Sequence, residues 1–469
     1  MFRRIALSGI AVATFGFAAN IPAPVTFHRD VLPVLQKRCQ QCHRPGEAAP
    51  MSLLTYEETR PWAASIREAV LLKKMPPWFA DPAHGSFSNE RRLSETEITI
   101  LSKWAESGAA EGNPADAPQP QEFASSLEIG EPDLVLDVGY DYPVPASGEI
   151  PYTYFVVPTG LTEDKWIESV EARPGTRSVV HHIVVSTRPP NSERFKEIKP
   201  GEPYVPQKKA KKKRKKDTGA GVFEALNADG EMLATFVPGG VPYRTRPGEA
   251  RLLPAGSDLI FQMHYTTNGT PALERSVIGI KFADVPPQRR VVNSFISNRF
   301  LVISPGDSNR RVDARVTVHE DVELLSLFPH MHLSGKAFEY RAIFPSGESK
   351  TLLSVPKYDF NWQLTYYLDE PIMLPKGTEI VATAGYDNSP NNLFNPDPAE
   401  TVYWGPQTWD EMLAGFLNFA IPVDLDPARI PKPVRWGIHL TQVTPRCSMG
   451  GSGELPTESD RVRGSILQR

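Results

Sequence analysis

The sequence predicts a multidomain chain, a small all-α domain followed by two all-β sandwich domains of jelly-roll-like form. Three observations lead there. Apolar residues recur at helical spacing within residues 25–111. Next comes a Pro-rich stretch poor in large apolar side chains, Glu111-Gly-Asn-Pro-Ala-Asp-Ala-Pro-Gln-Pro-Gln-Glu-Phe-Ala-Ser-Ser126, which reads as a linker over 112–126. Beyond it, short runs of Val, Ile, Tyr, Phe and Thr alternate with Pro/Gly turns, as in Tyr152–Val157, Ser178–Ser186, Asp258–Tyr265 and Val322–Phe328. The 469 residues, 40% apolar, leave room for about three domains. The β-rich part divides near Pro286-Pro287, giving sandwiches over 127–287 and 288–450 and a flexible tail over 451–469.

At the N-terminus, Met1-Phe-Arg-Arg4 precedes an apolar run from Ile5 to Ala19. A charged start, a short hydrophobic segment and a small-residue end make 1–19 a secretory signal, with Ala18, Ala19 or Asn20 near the cleavage point. The run is short for a membrane span, and no later stretch could cross a bilayer. A periplasmic or secreted protein without a stable membrane span is expected. The net charge of −4 argues against nucleic acid as a partner.

The all-α segment opens with Phe27–Arg38, whose Phe27, Val31, Val34 and Leu35 share helical spacing, and runs into Cys39-Gln-Gln-Cys42-His43. Two thiols three positions apart beside an imidazole are what covalent attachment of one c-type haem requires. Cys39 and Cys42 would form the thioethers, and His43 would be the proximal iron ligand. A zinc site needs a second ligand pair, and the one other cysteine, Cys447, lies far along the chain. A redox dithiol would sit in a βαβ pattern, which is missing. Met75, in Lys73-Lys-Met-Pro-Pro-Trp78, is on a proline-stiffened loop suited to a sixth ligand. Its rivals are His84 and His28, and core filling is the alternative role. A last helix, Ser94–Ala105, begins with a Ser-x-x-Glu capping box. Residues 25–111 resemble a small class I-like cytochrome c domain.

Seven of the ten histidines lie in the β-rich part. On a strand, positions i and i+2 share a face, so His330 and His332 can grip one ion. Adjacent His181 and His182 point to opposite faces unless a bulge, twist or strand end turns them together. An imidazole-rich site without thiolates suits copper, zinc or iron. His319 and His439 read as ordinary core or surface residues.

Four blocks in order then resemble the copper type II, ascorbate-dependent monooxygenases, the family of peptide amidation and dopamine hydroxylation. They are Val179-Val-His181-His182-Ile-Val184, Phe261-Gln-Met-His264-Tyr265, Pro329-His330-Met-His332-Leu333 and Thr408-Trp-Asp-Glu-Met412. The resemblance spans roughly residues 130–445. It implies two coppers facing each other across a cleft between the sandwiches. His181, His182 and His264 would hold an electron-entry copper; His330, His332 and Met412 would hold the catalytic copper that meets O₂. A soft thioether beside two imidazoles favours Cu(I). Met412 could instead be core within an apolar run, and Met449 is a competing thioether.

Amidating members carry an arginine two residues before the His-x-His and a tyrosine four after the ligand Met; here these are Phe328 and Phe416. That implies an uncharged or apolar small-molecule substrate for C–H hydroxylation. The family's cysteines for disulfides are also missing, and Cys447 is left unpaired. Electrons would come from an external donor, an ascorbate-like reductant or a redox protein, or from the haem in the same chain. The alternative is a non-catalytic haem/copper electron-transfer protein. The basic run Lys208–Lys216 falls between two blocks and reads as a solvated insertion, with an anionic surface or polymer as its other possible partner.

Overall fold

The computed structural model describes residues 24–47, 49–123, 127–206, 230–405 and 407–430. The segment 1–19 expected as a secretory signal, Lys208–Lys216, His439, Cys447, Met449, residues 431–450 and the segment 451–469 expected as a tail lie outside the described residues.

Residues 27–106 carry the α-helices. A widened turn at Phe27–Val31 passes into helix Leu32–Arg38, followed by Tyr56–Thr59, Ala63–Leu71 and Glu95–Glu106. The capping box forms, with Ser94 Oγ accepting from Glu97 N and the Glu97 carboxylate accepting from Ser94 N. Phe27, Val31, Leu35, Leu101 and Trp104 close a core of their own. The stretch expected as a linker returns to this segment, where Gln36 Nε2 donates to the carbonyl of Gln119 and Arg44 lies over the Phe123 ring.

The rest of the chain is mostly β-sheet in sandwich layers. A nine-stranded sheet runs in the order Leu134–Asp137, Val277–Phe282, Lys165–Arg173, Glu249–Leu253, Arg289–Ser297, Ala414–Pro422, Val322–His330 and Tyr366–Leu374, with Tyr243–Arg244 beside Lys165–Arg173. A four-stranded sheet of Thr153–Pro158, Asp258–Tyr265, Val180–Arg188 and Met232–Phe236 covers one end, burying Phe155, Ile183, Phe261 and Met263 against Ile167, Val170, Ile278 and Ile280. A second four-stranded sheet, Arg310–Thr317, Glu379–Tyr386, Gly335–Ile343 and Ser349–Val355, covers the other end. Strands Arg310–Thr317 and Gly335–Ile343 alternate buried with more exposed side chains, whereas Thr153–Pro158 and Ala414–Pro422 are buried along almost their whole length.

The position near Pro286-Pro287 lies between strands, and the large sheet continues across it. Arg289 and Arg290 pair in parallel with Glu249 and Ala250, joining both halves. A buried polar chain reinforces the join: Arg251 donates to Asn418 Oδ1 at 2.8 Å, and Asn418 Nδ2 donates to Ser326 Oγ at 2.8 Å.

The helical segment is also fastened to the sheets. Asp81 N donates to the Ser354 carbonyl at 2.8 Å, and Ser88 N to the Tyr367 carbonyl at 2.9 Å. Trp78 and Phe87 place their rings 4.9 and 5.4 Å from Tyr366, inside the second-half core. No helix among the described residues is long and apolar enough to cross a membrane.

Candidate metal centre

Strand Val180–Arg188 brings His181 and His182 to one place by a break in its ladder. Its pairing with Asp258–Tyr265 slips between Val180 and His182, so that His182 stands opposite His264. The slip supplies the local turn that two adjacent histidines need in order to converge. His181 Nδ1 lies 3.0 Å from His182 Nδ1, and His264 Nδ1 lies 3.4 Å from the same atom. One nitrogen from each ring falls within 4.8 Å of the others, the geometry of a three-imidazole metal site. Burial lowers the pKa of all three, most strongly at His182 and His264, where neighbouring imidazoles add to the effect. Neutral imidazoles are the ligand form, so the donor set fits a soft or borderline cation such as copper.

The second group is built differently from the sequence expectation. His330 is the last residue of strand Val322–His330, and His332 lies beyond the strand end. Their rings still stand together, centroids 5.1 Å apart and planes at 89°. His330 Nδ1 donates to Gln363 Oε1 at 2.6 Å, while Gln363 Nε2 donates to the Phe360 carbonyl at 3.1 Å, which fixes the amide's orientation. His332 Nδ1 donates to the Asp410 carbonyl at 3.1 Å. With Nδ1 engaged, each ring keeps Nε2 available to a metal ion. Burial pushes the His330 pKa down to about 4 and that of His332 to about 3.

Glu411 sets the backbone that carries these ligands. Its carboxylate accepts the N–H of His332, that of Ser334 at 2.9 Å and that of Met412 at 2.9 Å. Burial pushes its pKa up to about 8 against those three donors, which favour the ionised form. Met412 is 2% exposed and belongs to the second-half core. It also lines a cavity together with His182, His330 and His332.

His182 of the first group and both histidines of the second therefore open on one cavity, and the Phe360 ring stands between the groups. Phe360 stacks on His181 at 5.3 Å and 16°, lies 6.2 Å from His264, and meets His332 edge-on at 6.3 Å. Tyr152 closes another side, 4.8 Å from the His264 ring and 5.6 Å from that of His182, with its hydroxyl accepting from Thr408. Sequence reasoning missed Phe360, Gln363 and Tyr152, because nothing marks a loop aromatic or amide as a neighbour of distant histidines. Glu411 was within reach as the residue preceding Met412.

Among the described residues, the rest of the cavity wall is neutral. Ile183, Val184, Met232, Val237, Phe328 and Phe416 line it, with Ser186, Thr235 and Gln262 as polar groups and no charged side chain among its lining residues. Phe328 and Phe416 pair across the sheet with rings stacked at 5.4 Å.

At the other motif, Cys39 caps helix Leu32–Arg38, and the N–H groups of Cys42 and His43 both donate to its carbonyl. The two thiols are free. Burial, with Cys42 beside it, pushes the Cys39 thiol up to about 12, and burial raises Cys42 against the pull of Arg91. Thiols held protonated in this way lack the thiolate character of a redox dithiol, and burial lowers the pKa of the half-buried His43, which keeps its imidazole neutral. Met75 is half-buried in the loop after helix Ala63–Leu71. His28 is engaged with Glu111 at 3.3 Å, and His84 is half-exposed in the turn after Asp81.

No protein-family profile matches the chain, and neither does any curated protein sequence. Among solved structures, the chain is similar to the VP2 subviral particle of infectious bursal disease virus at 9% identity, covering 63% of this chain and 73% of that one, with a TM-score of 0.19. It is also similar to allantoicase at 9% identity, covering 53% and 79%, TM-score 0.15. A third similarity is to the Gx strain of the same virus at 10% identity, covering 63% and 74%, TM-score 0.17. Similarities at these TM-scores carry no argument about this chain's fold or activity.

Proposed function

We propose that the chain is a periplasmic or secreted copper-dependent monooxygenase that hydroxylates a C–H bond of an uncharged or apolar small substrate with O₂, carrying a c-type haem as an in-chain electron donor. The observation that carries this reading is the meeting of His182, His330, His332 and Met412, drawn from three distant parts of the chain, on one neutral cavity. His181, His182 and His264 would hold one copper; His330, His332 and Met412 would hold the other. Cys39 and Cys42 would bind the haem, with His43 and Met75 as its axial ligands. When bound, copper supplies one-electron and oxygen chemistry, and haem supplies a store for an electron.

The chain's own groups prepare that chemistry. Gln363 and the Asp410 carbonyl hold the protons of His330 and His332 on Nδ1. Burial keeps the imidazoles neutral, so protons do not compete for the ligand nitrogens at ordinary pH. The Phe328–Phe416 stack offers an apolar face and no counter-ion, which favours a neutral substrate and excludes bulk water from the ligand nitrogens.

Metal analysis of full-length protein matured with haem and copper tests the reading. One haem, seen as peroxidase stain on a denaturing gel and lost in Cys39→Ser/Cys42→Ser, and two coppers are expected. His264→Ala should remove one copper equivalent, and Met412→Ala the other. Zinc in place of copper, or no metal beyond iron, would overturn it.

A further inference from the structure

The helical segment meets the sheets at the second cysteine of its motif. A β-carbon added at Gly239 would lie 3.7 Å from Cys42 Sγ and 2.7 Å from a guanidinium nitrogen of Arg91. Gly239 has φ +74°, a conformation that glycine adopts without strain. Around this contact Cys42 and Gln41 share a cavity with Phe236–Pro242 and Arg177. Ion pairs and hydrogen bonds pin its rim. Glu47 bridges Arg44 at 2.8 Å and Arg177 at 2.6 Å, and Gln41 Nε2 donates to Glu128 Oε1 at 2.9 Å. These groups are largely covered, so the pairs hold geometry better than exposed ones do.

The same backbone leads straight to the histidine cavity. Thr235 and Val237 line both cavities. Strand Met232–Phe236 pairs with the His181 strand through Val184↔Thr235 and Ile183↔Phe236. Only Pro238 separates Val237, on the wall shared with His182, from Gly239 against Cys42.

We propose that the Cys42–Gly239 contact is the port through which electrons pass from the helical segment into the β-sheets, so that the haem's redox partner is this chain's own three-histidine group. The proposal rests on the haem and copper readings above. The step is a single-electron transfer: ferrous haem iron becomes ferric, and a cupric ion held by His181, His182 and His264 becomes cuprous. No bond forms or breaks and no proton moves. Gly239 is a positioning residue: its left-handed backbone shapes the turn that faces Cys42, and a β-carbon there would press on the Arg91 guanidinium at 2.7 Å.

The test uses full-length protein carrying haem and copper, with both contents measured first. Without oxygen, a light pulse and a flavin photoreductant reduce the haem, and the decay of the ferrous absorption band is followed. The wild type should show a fast phase whose rate does not depend on protein concentration. Copper-free protein and His181→Ala should lack it. Gly239→Val, which strains the left-handed turn against Cys42 and presses on the Arg91 guanidinium, should lose the fast phase while keeping the haem spectrum and the copper content. Glu47→Gln, which weakens the rim without touching the port, serves as a second variant if Gly239→Val does not mature, and should slow the same phase. A fast phase retained in whichever of these variants matures, or a wild-type decay that scales with protein concentration, overturns the port. Wild type lacking haem or copper overturns the earlier reading, and the port with it.

Discussion

His330 and Gln363, thirty-three positions apart, are joined by a 2.6 Å hydrogen bond from imidazole Nδ1 to amide Oε1. Partners of this kind orient a ligand ring and raise its basicity, and losing one typically costs about 10- to 100-fold in metal affinity. Gln363→Leu should weaken copper at the His330/His332/Met412 group by that factor and leave the three-histidine group unchanged. Titration against a competing chelator, with His264→Ala as background, reads the affected group alone. Equal affinity in the two proteins would show that the amide does not orient the ring.

Glu411 accepts three backbone N–H groups in the interior. Glu411→Ala strands all three, at about 1–3 kcal/mol for each unsatisfied buried donor. The variant should lose about 3 kcal/mol or more of stability by chemical denaturation, together with the copper equivalent that depends on Met412. Near-normal stability would mean that water takes the carboxylate's place.

Burial keeps His330 and His332 neutral in the folded chain down to about pH 4 and about pH 3. An unfolded histidine takes up a proton near pH 6.5, so between these limits the unfolded chain binds more protons. The resulting stability is present above pH 6.5 and is lost as the pH falls towards 4, by up to about 1.4 kcal/mol per pH unit for each group. Metal-free protein should therefore unfold at lower denaturant at pH 5 than at pH 7.5. His330→Gln should shrink that difference, and an unchanged difference would mean that His330 is already charged in the fold.

Phe328 and Phe416 stack at the wall of the histidine cavity with no charge nearby in its lining. Among aromatic compounds of one skeleton, the neutral alcohol or amide should bind better than the carboxylate. Phe416→Tyr, which places a hydroxyl on that wall, should narrow the gap by about 1 kcal/mol, the worth of one ordinary hydrogen bond. Equilibrium binding to the full chain measures it, and a carboxylate preferred by the wild type would contradict the neutral cavity.

Local features were legible because local chemistry makes them. The Ser94/Glu97 capping box, the turn of Cys39–His43 at a helix end and the short β-prone runs follow from neighbouring residues, and each forms where its residues stand. The sequence also isolated the histidines that meet at the cavity, and it demanded a distortion at His181-His182 without showing where. Tertiary structure alone decided the rest. A ladder slip turns His181 and His182 together, the Glu249–Arg289 pairing makes two expected sandwiches share one sheet, and Phe360 comes to stand between two histidine groups. These relations join residues tens to hundreds of positions apart. They arise from the packing of whole layers against one another, for which no spacing along a single segment carries a signal.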